Sequence, residues 1–262
     1  MTESAIEEKR EPRSWMRYAA PQKFYPLAGR MVPWFFCSAL VFTCCGLWQG
    51  FFIAPTDAQQ GEVYRIIFIH VPAAWMSMFI YLVMAFWSAV GLVMNTRLSF
   101  MMSQALAPTG AMFCVLALVT GSLWGKPTWG TYWEWDARMT SQLLLLLLYL
   151  GHIALTEAID EPKRADRAGA IIALVGVVNV PVIYFSVTWW NSLHQGASVN
   201  LTKAPSMATT MLLAMLLVAL GAWMYSIGVS LWRVRMLMLQ RERHTDWVDA
   251  ELQRLQRKKG IQ

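Results

Sequence analysis

IIFIHVPAAWMSMFIYLVMAFWSAVGLVM, residues 66–94, is the stretch of sequence that decides the fold. It contains no Asp, Glu, Lys or Arg, and it exceeds the roughly 20 residues that a helix needs to cross about 30 Å of hydrocarbon. A helix suits that environment because it satisfies its backbone hydrogen bonds internally. The stretch therefore predicts a transmembrane helix and, with it, a membrane protein.

Five further apolar runs surround this one, and the composition agrees with them. The chain of 262 residues is 56% hydrophobic and only 15% charged, which excludes an ordinary soluble domain. The other runs are 33–53, 105–123, 139–156, 170–189 and 206–232. We therefore predict an all-α integral membrane protein, a bundle of six transmembrane helices.

The distribution of Lys and Arg predicts how the bundle is oriented. Of the 22 basic residues, 18 fall on one side: six before residue 31, one at 97, three between 163 and 167, and eight from 233 onward. The other side has only Arg65, Lys126, Arg138 and Lys203. Because cytoplasmic segments retain the excess of positive charge, both termini are predicted to be cytoplasmic. Segments 54–65, 124–138 and 190–205 then lie on the external side.

This topology predicts three regions along the chain. Residues 1–32 are a cytoplasmic N-terminal segment, 33–232 form the transmembrane domain, and 233–262 form a basic cytoplasmic tail. The net charge of +6 is explained by the topology, so it does not indicate a nucleic-acid partner.

The tryptophan segment, WGKPTWGTYWEWDAR at 124–138, holds Trp124, Trp129, Trp133 and Trp135. Its glycines and its proline predict a turn-rich external loop. Two interpretations remain open from the residues alone. Indole rings offer a broad face for a flat ligand, and they also accumulate singly as belts at membrane interfaces.

The charged end of the tryptophan segment also allows two interpretations. Asp136 either caps the following helix with its carboxylate or contacts a ligand. Arg138 is either an anchor at the membrane interface or a partner for a ligand carboxylate, oriented by the cap or by Asp136 itself.

The histidines divide between the two sides of the predicted bundle. His70 lies near the external end of the second run and His194 in the third external segment, whereas His152 and His244 belong to the opposite side. Two facing imidazoles are a suitable axial pair for haem iron. The external side also offers the tryptophans as a wall, and Arg65, Lys126, Arg138 or Lys203 as cations for the haem propionates.

Three stretches together resemble a known family. WGKPTWGTYWEWDARMT at 124–140, FIHVPAAW at 68–75 and TWWNSLHQGAS at 188–198 are similar to the WWD-motif haem-handling proteins of cytochrome c biogenesis, of the cytochrome c maturation protein C (CcmC) type. Met139 stands where leucine is more usual, a volume-conserving change.

The resemblance implies a function and a set of partners. It implies that haem is bound at the periplasmic face of the bacterial inner membrane and passed to the haem chaperone CcmE. His70 and His194 would be axial ligands of a non-covalent, b-type haem, and the WWD loop would hold the porphyrin. It also implies a complex with the small membrane protein CcmD and the ABC-type subunits CcmA and CcmB.

Two other function classes remain as alternatives from the residues. A b-type haem electron-transfer subunit would use the same histidines but favours ligands buried in the bundle. A small-solute permease is disfavoured by the scarcity of charges inside the apolar runs. The sequence offers no GxxxxGK[ST] nucleotide site, and no catalytic nucleophile or acid/base pair. We therefore expect a transfer protein and not an enzyme.

Overall fold

The computed structural model describes residues 18, 20–190, 192, 194, 196, 199 and 205–258. These residues form eight α-helices and no β-strand. The helices are α1 (Pro21–Trp48), α2 (Ile67–Met94), α3 (Arg97–Trp129), α4 (Ala137–Ala158), α5 (Pro162–Gly176), α6 (Asn179–Trp189), α7 (Thr209–Arg241) and α8 (Asp246–Lys258). A π-helical turn, Gln49–Ile53, extends α1, and a 3-10 turn, Glu62–Ile66, leads into α2.

Six helical segments within the described residues are long and apolar enough to cross a membrane. They are Pro21–Ile53, Glu62–Met94, Arg97–Trp129, Ala137–Ala158, Pro162–Trp189 and Thr209–Arg241. The prediction of an all-helical, multi-pass membrane protein with six spans is confirmed. An even number of spans places Pro21 and Arg241 at the same end of the bundle. The opposite end, which carries the connections 54–61 and 130–136, is called the loop end below.

The first and last spans are longer than the apolar runs that predicted them. Helix α1 begins at Pro21 and not at 33, and α7 continues to Arg241 beyond 232. The predicted boundaries at 32/33 and 232/233 concern the edges of the membrane and stay predictions, because these helix ends do not locate those edges. A helix can extend past the hydrocarbon into polar surroundings, because its backbone bonds do not depend on apolar side chains.

The fifth span is broken into two helices, and Pro181 explains the break. A proline ring clashes with the carbonyl four residues earlier, here Val177, where α5 has already ended. The side-chain amide of Asn179 donates to the carbonyl of Ser141 on α4 at 2.9 Å. This hydrogen bond is a contact between α6 and α4.

The tryptophan segment is less of a loop than its glycines and proline predicted. Helix α3 continues through Pro127 to Trp129, and it ends only at Gly130, whose φ of 81° is left-handed. Pro127 lies in the last turn of α3, and only Thr128 and Trp129 follow it in helical conformation. The prediction of a loop over 124–138 was thus wrong for residues 124–129 and 137–138, and the connection to α4 consists of residues 130–136.

The core positions the loop end. Helices α2 to α6 share a central apolar cluster that includes Tyr81 and Tyr149. A second cluster at the loop end packs Tyr64, Phe68 and Trp124 against the start of α7. Helix α1 packs mainly against α7. These contacts fix the ends of α2, α3 and α4 relative to one another, and these ends build the site described next.

Candidate functional site

A cavity opens at the loop end between α2, α3, α4 and the segment that contains His194. We call it the histidine cavity; it has a volume of about 470 Å³, open space included. Sites for small ligands commonly combine apolar walls with a few polar groups. Five of the residues singled out from the sequence line it: His70, His194, Trp124, Trp129 and Arg138.

His70 and His194 meet across this cavity. The ring centroids of His70 and His194 are 6.2 Å apart, with 34° between the ring planes. Metal–imidazole bonds are about 2 Å long, so two opposed axial imidazoles place their centroids about 6 Å apart on one metal. The separation therefore fits a pair of ligands to one iron atom.

Three neighbours on α3 hold the ring of His70. Its Nδ1 lies 3.0 Å from the hydroxyl of Thr120, and the ring of Trp124 meets it edge-on at 5.6 Å and 80°. A Cβ atom added at Gly121 would lie 3.0 Å from Cε1 of the imidazole. The histidine therefore occupies a fitted recess on α3, and the missing side chain of Gly121 makes room for it.

Trp124 lines the histidine cavity but contributes little open surface to it, because the side chain is packed against its neighbours. Only 5% of its surface is exposed, and its indole N–H donates to the side-chain carbonyl of Gln60 at 2.7 Å. The ring of Tyr64 packs against it at 5.7 Å in an edge-on arrangement. Gln60 and Tyr64 thus hold Trp124 in place, and Trp124 in turn orients His70.

The other three tryptophans have different surroundings. Trp129 is half-buried, and its ring centroid is 5.8 Å from that of His194. Trp133 and Trp135 pack edge-on at 5.2 Å, and Trp135 is 72% exposed. The buried indole N–H of Trp133 has no hydrogen-bond partner among the described residues. Trp133 lines a smaller cavity of about 200 Å³ that shares Trp129 with the first.

Asp136 links the tryptophan segment to His194. One carboxylate oxygen accepts from the backbone N–H of Met139 at 2.7 Å, which confirms the predicted cap of α4. The other oxygen accepts from the hydroxyl of Ser192. That same hydroxyl oxygen accepts from the backbone N–H of His194 at 3.0 Å. The carboxylate therefore joins the start of α4 to the segment that carries the second histidine.

Only one of the predicted cations that the structure describes lines the histidine cavity. That cation is Arg138, whose Nη1 donates to the carbonyl of Ile183 on α6 at 2.7 Å. This contact, and not a hydrogen bond to Asp136, is the one that orients the guanidinium.

The remaining predicted cations are engaged elsewhere or lie outside the described part of the chain. Arg65 pairs with Glu62 and donates to the carbonyls of Gly50 at 2.6 Å and Ala54 at 3.1 Å, which holds the π-helical turn in place. Lys126 donates to the carbonyl of Gly130 at 3.1 Å and lies over the ring of Tyr132. Lys203 is outside the described residues.

The remaining two histidines do not line the cavity. His152 is 2% exposed, and its Nδ1 lies 3.0 Å from the carbonyl of Gly169. His244 is exposed beyond the end of α7. The division of the histidines into two pairs, predicted from the apolar runs, matches their positions in the fold.

Sequence reasoning missed several polar residues around the cavity. Gln142, on the cavity wall, donates to the hydroxyl of Ser77 at 2.9 Å, but it was not singled out within the apolar run 139–156. Thr120 and Ser192 were also missed. A signal for Thr120 existed, because it lies one helical turn before Trp124 and shares its helix face.

Known proteins match this chain over most of its length. Residues 14–249 match the family described as heme exporter protein C. Heme exporter protein C of Bradyrhizobium diazoefficiens is 46% identical over 223 residues, covering 85% of this chain and 84% of the relative. The protein of the same name from Escherichia coli K12 is 45% identical over 231 residues, covering 88% and 93%. That of Haemophilus influenzae is 41% identical over 242 residues, covering 92% and 98%.

The family match, residues 14–249, includes all six spans and every residue that lines the histidine cavity, and it agrees with the resemblance seen in the three motifs. The chain belongs to the heme exporter protein C (CcmC) family.

Proposed function

We propose that this protein binds haem as a cargo in the histidine cavity, at the periplasmic face of the bacterial inner membrane, and passes it to the haem chaperone CcmE. The observation that carries the proposal is the meeting of His70 and His194 across one cavity, at a ring separation of 6.2 Å. The printed name of the relatives, heme exporter protein C, supports haem as the cargo.

The residues of the cavity fit a non-covalent, b-type haem. Two imidazoles supply axial nitrogens, and Trp129 supplies an aromatic face beside His194. Arg138 brings a guanidinium with five N–H donors, of which its contact to Ile183 uses one nitrogen, so it is the candidate partner for a propionate. The indole N–H of Trp133 has no partner among the described residues, and Trp133 lines the adjoining cavity, so this N–H suits a second polar edge of the cargo.

The two histidines are anchored unequally, and this favours transfer over permanent retention. His70 belongs to the first turn of α2 and packs against α3. His194 lies beyond the end of α6, where the hydrogen bonds from Asp136 through Ser192 tie its backbone to α4. A subunit that only carries electrons would gain from two rigid ligands. One rigid ligand and one ligand in a connecting segment suit a site that opens to release its cargo.

The orientation and the partners are part of the proposal. The excess of Lys and Arg at the end opposite the cavity supports cytoplasmic termini and a periplasmic cavity. We propose that the protein works with CcmD and with the ABC-type pair CcmA and CcmB. The chain has no GxxxxGK[ST] motif, so nucleotide hydrolysis is assigned to those partners.

The test of haem binding uses the absorption spectrum of the purified protein. The wild type is expected to give a low-spin, six-coordinate spectrum. His70→Ala or His194→Ala leaves iron with one histidine, so each is expected to lose haem or become high-spin. Added imidazole should partly restore the spectrum in either variant. His244→Ala is the matched control because that side chain is exposed and far from the cavity.

The stricter test is loading of the chaperone. Haem-loaded protein is mixed with apo-CcmE, and the haem bound to the chaperone is followed with time. Both histidine variants should fail in transfer as well as in binding, whereas His244→Ala should match the wild type. A His70 or His194 variant with a native spectrum and full transfer would refute the assignment of that residue.

A further inference from the structure

We propose that Thr120 is a positioning residue for the haem site: its hydroxyl oxygen accepts the Nδ1–H of His70 and so leaves Nε2 as the unprotonated nitrogen that can bind iron. The proposal rests on the proposed function and deepens it, because it says which nitrogen of His70 faces the cargo and what decides it.

The direction of the hydrogen bond follows from the other contacts of the hydroxyl. A threonine hydroxyl has one proton to donate and lone pairs to accept with. The oxygen of Thr120 lies 2.6 Å from the carbonyl oxygen of Leu116 and 3.3 Å from that of Ala117. A carbonyl oxygen can only accept, so two oxygens at 2.6 Å require the proton between them.

The contact to His70 is then an accepted bond. With its proton directed at Leu116, the hydroxyl oxygen faces Nδ1 of His70 at 3.0 Å with a lone pair. Nδ1 must therefore carry a hydrogen. In a neutral imidazole only one nitrogen is protonated, so Nε2 is left with its lone pair.

The rest of the recess fixes the plane of the ring. Gly121 lies against Cε1 of the imidazole, where a Cβ would come within 3.0 Å. Trp124 packs edge-on against the ring at 5.6 Å. These two residues and Thr120 occupy positions i, i+1 and i+4 of α3, so one helix face sets both the orientation and the tautomer of His70. Metal-binding histidines in general donate their second ring N–H to such an outer partner.

If Thr120 had only a structural role, its hydroxyl would bond to its own helix and would make no contact with His70. Threonines inside helices often bond back to the preceding turn, and Thr156 on α4 does so, with its hydroxyl 2.9 Å from the carbonyl of His152 and 3.0 Å from that of Ile153. Thr120 makes the same back-bond and in addition reaches the ring of His70. Thr156 is therefore the matched control for every effect that depends on the back-bond alone.

The first measurement uses haem-free protein labelled with ¹⁵N in the histidine rings, with the His70 signals assigned by their loss in His70→Gln. The wild type should show a protonated Nδ1 and an unprotonated Nε2 at His70. Thr120→Val keeps the side-chain shape without the acceptor and should give a mixture of tautomers. Thr120→Ser keeps the hydroxyl, and it should retain the wild-type pattern, as should Thr156→Val. A protonated Nε2 in the wild type, or an unchanged pattern in Thr120→Val, overturns the proposal.

The second measurement is the haem affinity of the same four proteins. Loss of an outer-shell partner commonly weakens metal binding by about 10- to 100-fold, and this is the loss expected for Thr120→Val, with Thr120→Ser and Thr156→Val close to the wild type. Equal affinity in Thr120→Val and wild type would overturn the proposal. The tautomer is read without haem, so its result is separate from the test of haem binding itself.

Discussion

At the scale of single residues, four tryptophans in one short segment differ in role because their neighbours differ. Trp124 is buried and hydrogen-bonded to Gln60, and it supports His70. Trp129 faces the second histidine. Trp133 hides an unpartnered N–H, within the described part of the chain, and Trp135 is largely exposed. Residue type alone could not separate these roles, because an indole ring suits all of them.

These differences predict unequal effects of two substitutions that look equivalent in the sequence. Trp129→Ala should weaken haem binding by about 1 to 3 kcal/mol, the usual cost of truncating an aromatic anchor in a binding site. Trp135→Ala should have a much smaller effect, because that ring is 72% exposed and does not line the histidine cavity. Haem titration monitored by absorbance measures both.

Trp189→Ala is the control for these variants, since that tryptophan is 57% exposed and stacks on Phe185 away from the cavity. Equal weakening by Trp129→Ala and Trp135→Ala would show that the segment acts as one platform, contrary to the division of roles drawn from the structure.

At the scale of the helices, small residues allow two helices to approach each other closely, and a hydropathy pattern does not indicate which small residues do so. Helix α1 packs against α7 across Gly46, where an added Cβ would lie 2.8 Å from the backbone nitrogen of Val218 and 2.9 Å from the carbonyl oxygen of Ala214. Backbone atoms cannot move aside as a flexible side chain can. The contact of α1 with the bundle therefore depends on this glycine.

Gly46→Ala is expected to destabilise the protein although alanine is the better helix former. The gain in helix propensity is about 1 kcal/mol, whereas overpacking of a tight contact costs about 1 to 3 kcal/mol, and here the obstacle is backbone. Gly151→Ala is the matched control, because its Cβ would meet only the end of the Ile172 side chain at 3.3 Å. The melting temperature of the purified protein should be lower for Gly46→Ala than for wild type, and unchanged for Gly151→Ala. A Gly46→Ala protein as stable as wild type would contradict the packing argument.

At the scale of the whole molecule, the charge asymmetry predicts the orientation in the membrane. Reporters fused after Trp129 or His194 should read as periplasmic, and those fused after Arg164 as cytoplasmic, because 18 of the 22 Lys and Arg residues fall in the segments predicted to be cytoplasmic. Paired reporters that are active on opposite sides of the membrane give the measurement. The reverse pattern would place the histidine cavity on the wrong side for the chaperone and would remove the proposed transfer.

The sequence by itself determined the membrane class, the number of spans and the division of the histidines, and it offered the cap by Asp136 as one of two interpretations. Each of these depends on local hydrophobicity, on charge counts or on spacing along one helix, which can be read without knowing what packs against what. Only the tertiary structure decided that α3 runs on to Trp129 and that Arg65 holds a turn while Arg138 lines the cavity. It alone placed Thr120 against His70, and Ser192 between Asp136 and His194. Such hydrogen bonds join segments that are far apart in the chain, so they form only when whole helices pack in a particular way. A local sequence pattern does not indicate how the helices pack.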